Sequence, residues 1–260
     1  MIYKYKVKNS RKNKSLAASV PLDTWYKTPL GRYLIEQLSE KLDNFLATSF
    51  GYFALAVGCH DQAAEVLQGC RVKHVFRLGG TGKNYDVQMD GISYPVASDS
   101  TDLVVLLHAL SQSRDPHAIL REVNRVLIPD GKLVIIDFNP VSLWGLRHLF
   151  QSWLDDAPWA GHYYTAHRLN DWARLLGFEP LHHFHCGHVL PLNYQKLILK
   201  SRIMSKFLER WFNFSSALNV LVFEKKTIPL TPIRKQWVKR QIIPPNIVRP
   251  TVGRDMKYDR

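Results

Sequence analysis

Between residues 30 and 45, apolar Leu30, Tyr33, Leu34, Leu38, Leu42 and Phe45 recur at three- and four-residue steps with charged residues between them. That spacing predicts an amphipathic helix. The period then shortens. Apolar runs at 52–57 and 72–78 end at Gly58 and at Gly79-Gly80, a weaker run covers 85–89 and a strong one 102–107, and each reads as a strand with a turn at its carboxyl end. Asp115 before Pro116, followed by a stripe of Ile119, Leu120, Val123, Val126 and Leu127, predicts a capped helix over 116–127. Pro129-Asp130-Gly131 ends it and opens a strand over 132–138. Thr165 caps a further helix that runs to Leu176, and 178–186 and 217–224 read as two strands able to pair as a terminal antiparallel hairpin, with 187–215 inserted between them. This alternation predicts an α/β fold, a mostly parallel sheet with helices on both faces.

A chain of 260 residues with 46% hydrophobic and 12% aromatic content is not disordered over most of its length. The longest apolar stretch, 103–110, is interrupted by His108 and is far below the roughly 18 residues of a membrane span. No secretory leader is read at the amino terminus. Three widely spaced cysteines (Cys59, Cys70, Cys186) argue for a reducing compartment, and a cytoplasmic location is expected. The net charge of +13 is unevenly placed. Residues 1–14 hold six Lys/Arg and no acid, residues 225–260 hold ten against Asp255 and Asp259, and the body between them is nearly neutral. The reading is a basic arm over 1–14, a domain over 15–226, and a basic tail with five prolines over 227–260. A polyanion would meet the arm and tail first.

Met89-Asp90-Gly91, Tyr94-Pro95, the segment from Ser100 through Val105, Asp115-Pro116, Leu120-Arg121-Glu122, Arg125-Val126-Leu127 and Asp130-Gly131-Lys132-Leu133 together resemble the class I methyltransferases of the small-molecule type. The resemblance covers residues 30–225 and implies their Rossmann-like seven-stranded sheet and S-adenosylmethionine as cofactor. Residues 138–143 and 227–231 look similar to a narrower bacterial branch of that superfamily. In such enzymes the cofactor sits at the carboxyl ends of the strands where the sheet order reverses. The resemblance carries cofactor binding to Gly58, His60, Asp90, Gly91 and His108. Gly58 and His60 stand on the turn after the first strand, Asp90 and Gly91 at the adenine contact, and His108 at the end of strand four beside the transferred methyl. The sequence departs from the pattern at three points, the first being Ala56 where the acid before the glycine turn is expected. His60 and Gln62 replace glycines that let the backbone approach the ligand, and 76–80 offers no acid for the ribose. Two functional readings follow: a methyltransferase whose small, prenyl-type or macromolecular acceptor the sequence does not identify, or a relative that keeps the fold as a binding module with basic tails for nucleic acid, an acidic protein or anionic membrane.

Among other residues able to carry chemistry, His108 is the candidate base or substrate contact. Asp102 reads as a structural residue bonding loop backbone, and Asn139-Pro140 as a turn. His182, His183, His185, Cys186 and His188 alternate between the two faces of a strand, which does not favour one tetrahedral metal site. Lys196, Lys200, Arg202, Lys206 and Arg210 would line one side of a helix, with membrane-surface contact as the alternative to a solvated face.

Overall fold

The computed structural model describes residues 19–58, 60–79, 85–88, 93–151, 158–159, 161–191 and 216–226. Helices α1 (Ser19–Tyr26) and α2 (Pro29–Ala47) precede the sheet. Thr28 caps α2, its hydroxyl accepting from the Gly31 amide at 3.2 Å, and Pro29 occupies the first turn where its missing N–H costs nothing. The predicted stripe of Leu30, Tyr33, Leu34, Leu38 and Leu42 is buried.

Strands β1 (Phe50–Gly58), β2 (Arg71–Gly79), β3 (Val87–Gln88), β4 (Thr101–Leu107), β5 (Leu127–Phe138), β6 (Phe178–Cys186) and β7 (Leu218–Lys225) form one sheet in the order β3-β2-β1-β4-β5-β7-β6. Six are full strands and β3 is a two-residue edge. The pairs from β3 to β5 are parallel; β7 runs antiparallel to both β5 and β6. Helices α1, α2 and α3 (His60–Val66) share a core with Ala54, Ala56, Val105, Ile136 and Val220 on one face. On the other face α4 (Pro116–Val126) and α6 (Ala166–Leu175) pack on Leu55, Val104, Leu133, Ile135 and Phe223. Helix α5 (Leu143–Gln151) follows β5 and buries Trp144 in the first of these cores.

Three elements differ from expectation. Strand β5 starts at Leu127, because the Pro129-Asp130-Gly131 turn is absorbed into it as a register shift opposite Thr101–Leu103, with Asp130 at φ +60°. Of the strand expected over 85–89, Val87–Gln88 are strand, Tyr85 and Asp86 are not, and Met89 lies outside the described residues; only seven residues separate it from β2, too few for a helical crossover. No helix among the described residues directly follows β2, and Phe53, His74 and Phe76 pack ring to ring along this end of the sheet. The family-like residues Glu122 and Arg125 have a structural task. Arg125 donates to the Tyr94 and Val96 carbonyls at 2.9 Å and to Glu122 at 2.7 Å, while Glu122 accepts from the Tyr94 amide at 3.1 Å, so the β3–β4 loop is clamped to α4. The guanidinium holds the Glu122 carboxyl below its ordinary range. Asp102 is structural as expected, one carboxylate oxygen accepting from the Tyr52 and Phe53 amides at 2.8 and 2.9 Å.

Candidate active site

The sheet order reverses between β1 and β4, so the carboxyl ends of these strands diverge and leave a crevice. Gly58 closes β1 there at φ +106°, and a Cβ on it would lie 2.0 Å from the Leu107 carbonyl oxygen. The glycine is thus required by the packing of β1 on β4. After it the chain enters α3 at His60. Gln62, the second departure from the glycine pattern, is buried, and its Oε1 has no hydrogen-bond partner among the described residues. At the end of β2, Gly79 lies against the Tyr85 ring. Beside it Arg77 grips Asp86 through two bonds of 3.0 Å and comes within 3.9 Å of Asp61. The acids near the ribose position are therefore engaged by an arginine. Asp90 and Gly91 lie outside the described residues.

His108 follows β4 directly. It adopts φ +57°, uncommon for a residue with a side chain, and is fully buried. Its amide donates to Ile136, and its carbonyl accepts from Ser111 Oγ at 3.0 Å and from the Gln112 amide at 3.2 Å. Both ring nitrogens are engaged: Nε2 lies 2.5 Å from the Tyr26 hydroxyl and Nδ1 3.2 Å from Asp137 Oδ1. An imidazole protonated on Nδ1 donates to the carboxylate and accepts from the phenol. The ring is stacked on Phe138 at 4.2 Å between centroids. Asp137, 1% exposed, has a second carboxylate oxygen, Oδ2, with no partner among the described residues. Three elements, α1, β4 and β5, thus converge on one buried Tyr–His–Asp chain.

Aromatic rings surround it. Trp25 meets Tyr26, Phe138 and Trp144 edge-on, Phe138 stacks on Trp144 and Tyr163, and Tyr163 stacks on His148 at 3.9 Å. Burial, with the Asp137 charge added, pushes the Tyr163 phenol well above its usual range. Burial lowers His148, which has His162 nearby.

Tyr26 and Asp137 were not singled out from the sequence. Asp137 had a signal, an acid inside the apolar run Ile135-Ile136-Asp137-Phe138; Tyr26 had none, since its partner is 82 positions away. Asn139-Pro140 is a turn: Asn139 Oδ1 accepts from the Val141 amide at 3.0 Å and its Nδ2 donates to Ser216 Oγ at 3.1 Å. On β6, His183 and His185 share a face and meet edge-on, and His185 bonds Asn219, while His182 meets Phe45. Among the described residues no three His, Cys, Asp or Glu side chains are placed to hold a metal ion. The basic set from Lys196 to Arg210 lies outside them.

Residues 53–183 match the family model described as a methyltransferase domain. The chain belongs to the class I S-adenosylmethionine-dependent methyltransferase superfamily. Uncharacterized protein YafS of Escherichia coli K12 is 35% identical over 223 residues, covering 85% of this chain and 88% of that protein. A demethylmenaquinone methyltransferase of Corynebacterium urealyticum is 34% identical over 84 residues, 30% of this chain and 36% of the other. In fold, the chain is similar to an S-adenosylmethionine-dependent methyltransferase from Archaeoglobus fulgidus, with TM-score 0.54 and 15% identity over 74% of this chain and 94% of that one. S-adenosylmethionine is the cofactor of that superfamily. The described residues fit it unevenly. Gly58 stands at the fork of β1 and β4 where the family's glycine turn begins, packed against the Leu107 carbonyl, whereas by the end of β2 Arg77 engages Asp86 and Asp61 in place of a free ribose acceptor.

Proposed function

We propose that the protein methylates an apolar, ring-bearing acceptor at the carboxyl ends of β4 and β5, with the Tyr26–His108–Asp137 chain handling the proton that the acceptor gives up. When bound, S-adenosylmethionine supplies the electrophilic methyl. Gly58, His60, Asp90 and Gly91 are the positions assigned to hold it, with His108 at the methyl end. Methylation of an O–H, N–H or acidic C–H releases one proton, and a buried base near the acceptor keeps it from blocking the step. Tyr26 can receive that proton as its own passes to His108 Nε2. Asp137 then holds the imidazole in orientation and balances its charge, the division of labour of a nucleophile–His–Asp triad.

The observation that carries this reading is the burial of an acid and a histidine, hydrogen-bonded to each other and to a phenol, at the strand ends where this fold places its chemistry. Buried ionisable groups are costly, and such arrangements concentrate at functional sites. The rings of Trp25, Phe138, Trp144 and Tyr163 support a flat, apolar acceptor, as does the partial likeness to demethylmenaquinone methyltransferase. A second reading, a fold kept for binding, is favoured by one observation, the Arg77–Asp86–Asp61 cluster at the ribose end.

The test is transfer of a labelled methyl group from S-adenosylmethionine into an extract of apolar quinones and phenols. The expected result is label in the extract with the parent protein, reduced on the order of 100-fold by His108→Gln, since positioned acid–base groups contribute about 10²–10⁴-fold. Label that the His108→Gln protein transfers equally well would remove the proton-handling role. No transfer to any acceptor by a protein that also fails to bind the cofactor would favour the binding reading.

A further inference from the structure

Helix α5 presents an apolar face to solvent. Leu143, Leu146, Leu149 and Phe150 fall within about a third of the helix circumference at 100° per residue, and all four are exposed, Leu149 by 74% and Phe150 by 66%. Val141 just before the helix is exposed too. The rest of the helix is fixed: Trp144 is fully buried and its Nε1 donates to the Val189 carbonyl at 2.9 Å, while Arg147, beside the apolar face, bonds the Pro191 carbonyl and lies over the Trp159 ring. Segment 187–191, tied down by these bonds, carries the exposed Leu190. A monomer surface rarely gathers this much apolar area on one short helix without a use.

The charge carried by the chain indicates what covers it. From Asn139 through Leu154 the chain has no acid and carries Arg147 and His148. The whole protein bears +13, concentrated in residues 1–14 and 225–260. Apolar side chains on one helix face combined with excess basic charge are the two attractions that hold a protein against an anionic bilayer surface. No helix among the described residues is long and apolar enough to span a bilayer, so the contact is peripheral. We propose that α5 is a membrane-surface docking element, seating the protein on anionic phospholipid with Leu146, Leu149 and Phe150 inserted among the headgroups. The helix begins five residues after β5 ends in the Phe138 that stacks on His108.

The proposal is tested on the full chain by co-sedimentation with vesicles of phosphatidylcholine alone and with about one-third phosphatidylglycerol. Tighter binding to the anionic vesicles by about tenfold or more, weakening with salt, is expected. Leu146→Asp with Phe150→Asp should reduce that binding about tenfold while leaving unchanged the heparin retention expected of the basic arm and tail. Leu149→Glu alone should act in the same direction, and thermal melts confirm that each variant is folded. Two results would overturn the proposal: equal vesicle binding by the double variant and the parent, or a parent dimer in sedimentation that the double variant converts to monomer, which would make a second copy the occupant. No cofactor is present in these measurements, so their outcome is separate from that of the methyl-transfer assay.

Discussion

Replacing Tyr26 by phenylalanine removes one oxygen from the centre of the buried chain and little else. The ring keeps its edge contact with Trp25 at 5.0 Å and its stacking on His108 at 5.8 Å. What is lost is the donor 2.5 Å from His108 Nε2. In a fully buried histidine that nitrogen cannot turn to water, so the cost is that of an orphaned acceptor, about 1–3 kcal/mol, rather than the smaller net value of an average hydrogen bond. For a domain of this size each kcal/mol lowers the melting temperature by roughly 2–4 °C. A drop of about 3–10 °C is therefore expected, with an unchanged denaturant m-value because the surface exposed on unfolding is the same. Chemical denaturation and a thermal melt read both. A Tyr26→Phe protein melting within about 1 °C of the parent would show that the phenol does not serve His108, and the relay would lose its α1 end.

Three further outcomes follow from the same geometry. Gly58→Ala places a methyl 2.0 Å from the Leu107 carbonyl at φ +106°, and should destabilise the fold by at least ~2 kcal/mol in a urea titration. His148 and His183 both titrate below the ordinary value of 6.5, chiefly through burial. The unfolded chain therefore binds protons before the folded one does, so stability should be full above about pH 7 and fall as pH drops through the window below 6.5; melts at stepped pH should show the decline, and His183→Gln should make it shallower. The full protein should be retained on heparin in a salt-sensitive way and a chain of residues 15–226 should lose that retention; equal retention of the two would move the polyanion contact into the domain.

The strands were legible where apolar runs met glycine or a capped helix. Val104 to Leu107 and Leu133 to Ile136 are buried on both faces, which writes an unbroken apolar run into the sequence. Helix α4 was legible to within a residue because Asp115, Pro116 and its stripe all agree. Helices α1 and α3 are eight and seven residues long, too short to display a period. Helix α5 was hidden for a different reason: its apolar face, Leu143, Leu146, Leu149 and Phe150, points to solvent while Arg147 and His148 bond the protein, the reverse of the polarity a surface helix is expected to show. Of the site, Gly58 and His108 could be placed from the family pattern, but the partners that give His108 its chemistry come from α1 and β5, and only the fold brings these together.

Isothermal titration of the full protein with S-adenosylhomocysteine tests the central claim most directly. Saturable binding at one site per chain, weakened about tenfold or more by Asp90→Ala through loss of an acceptor for the adenine amino group, is the expected result. Absence of any heat of binding from a protein that melts cooperatively would contradict a working cofactor site.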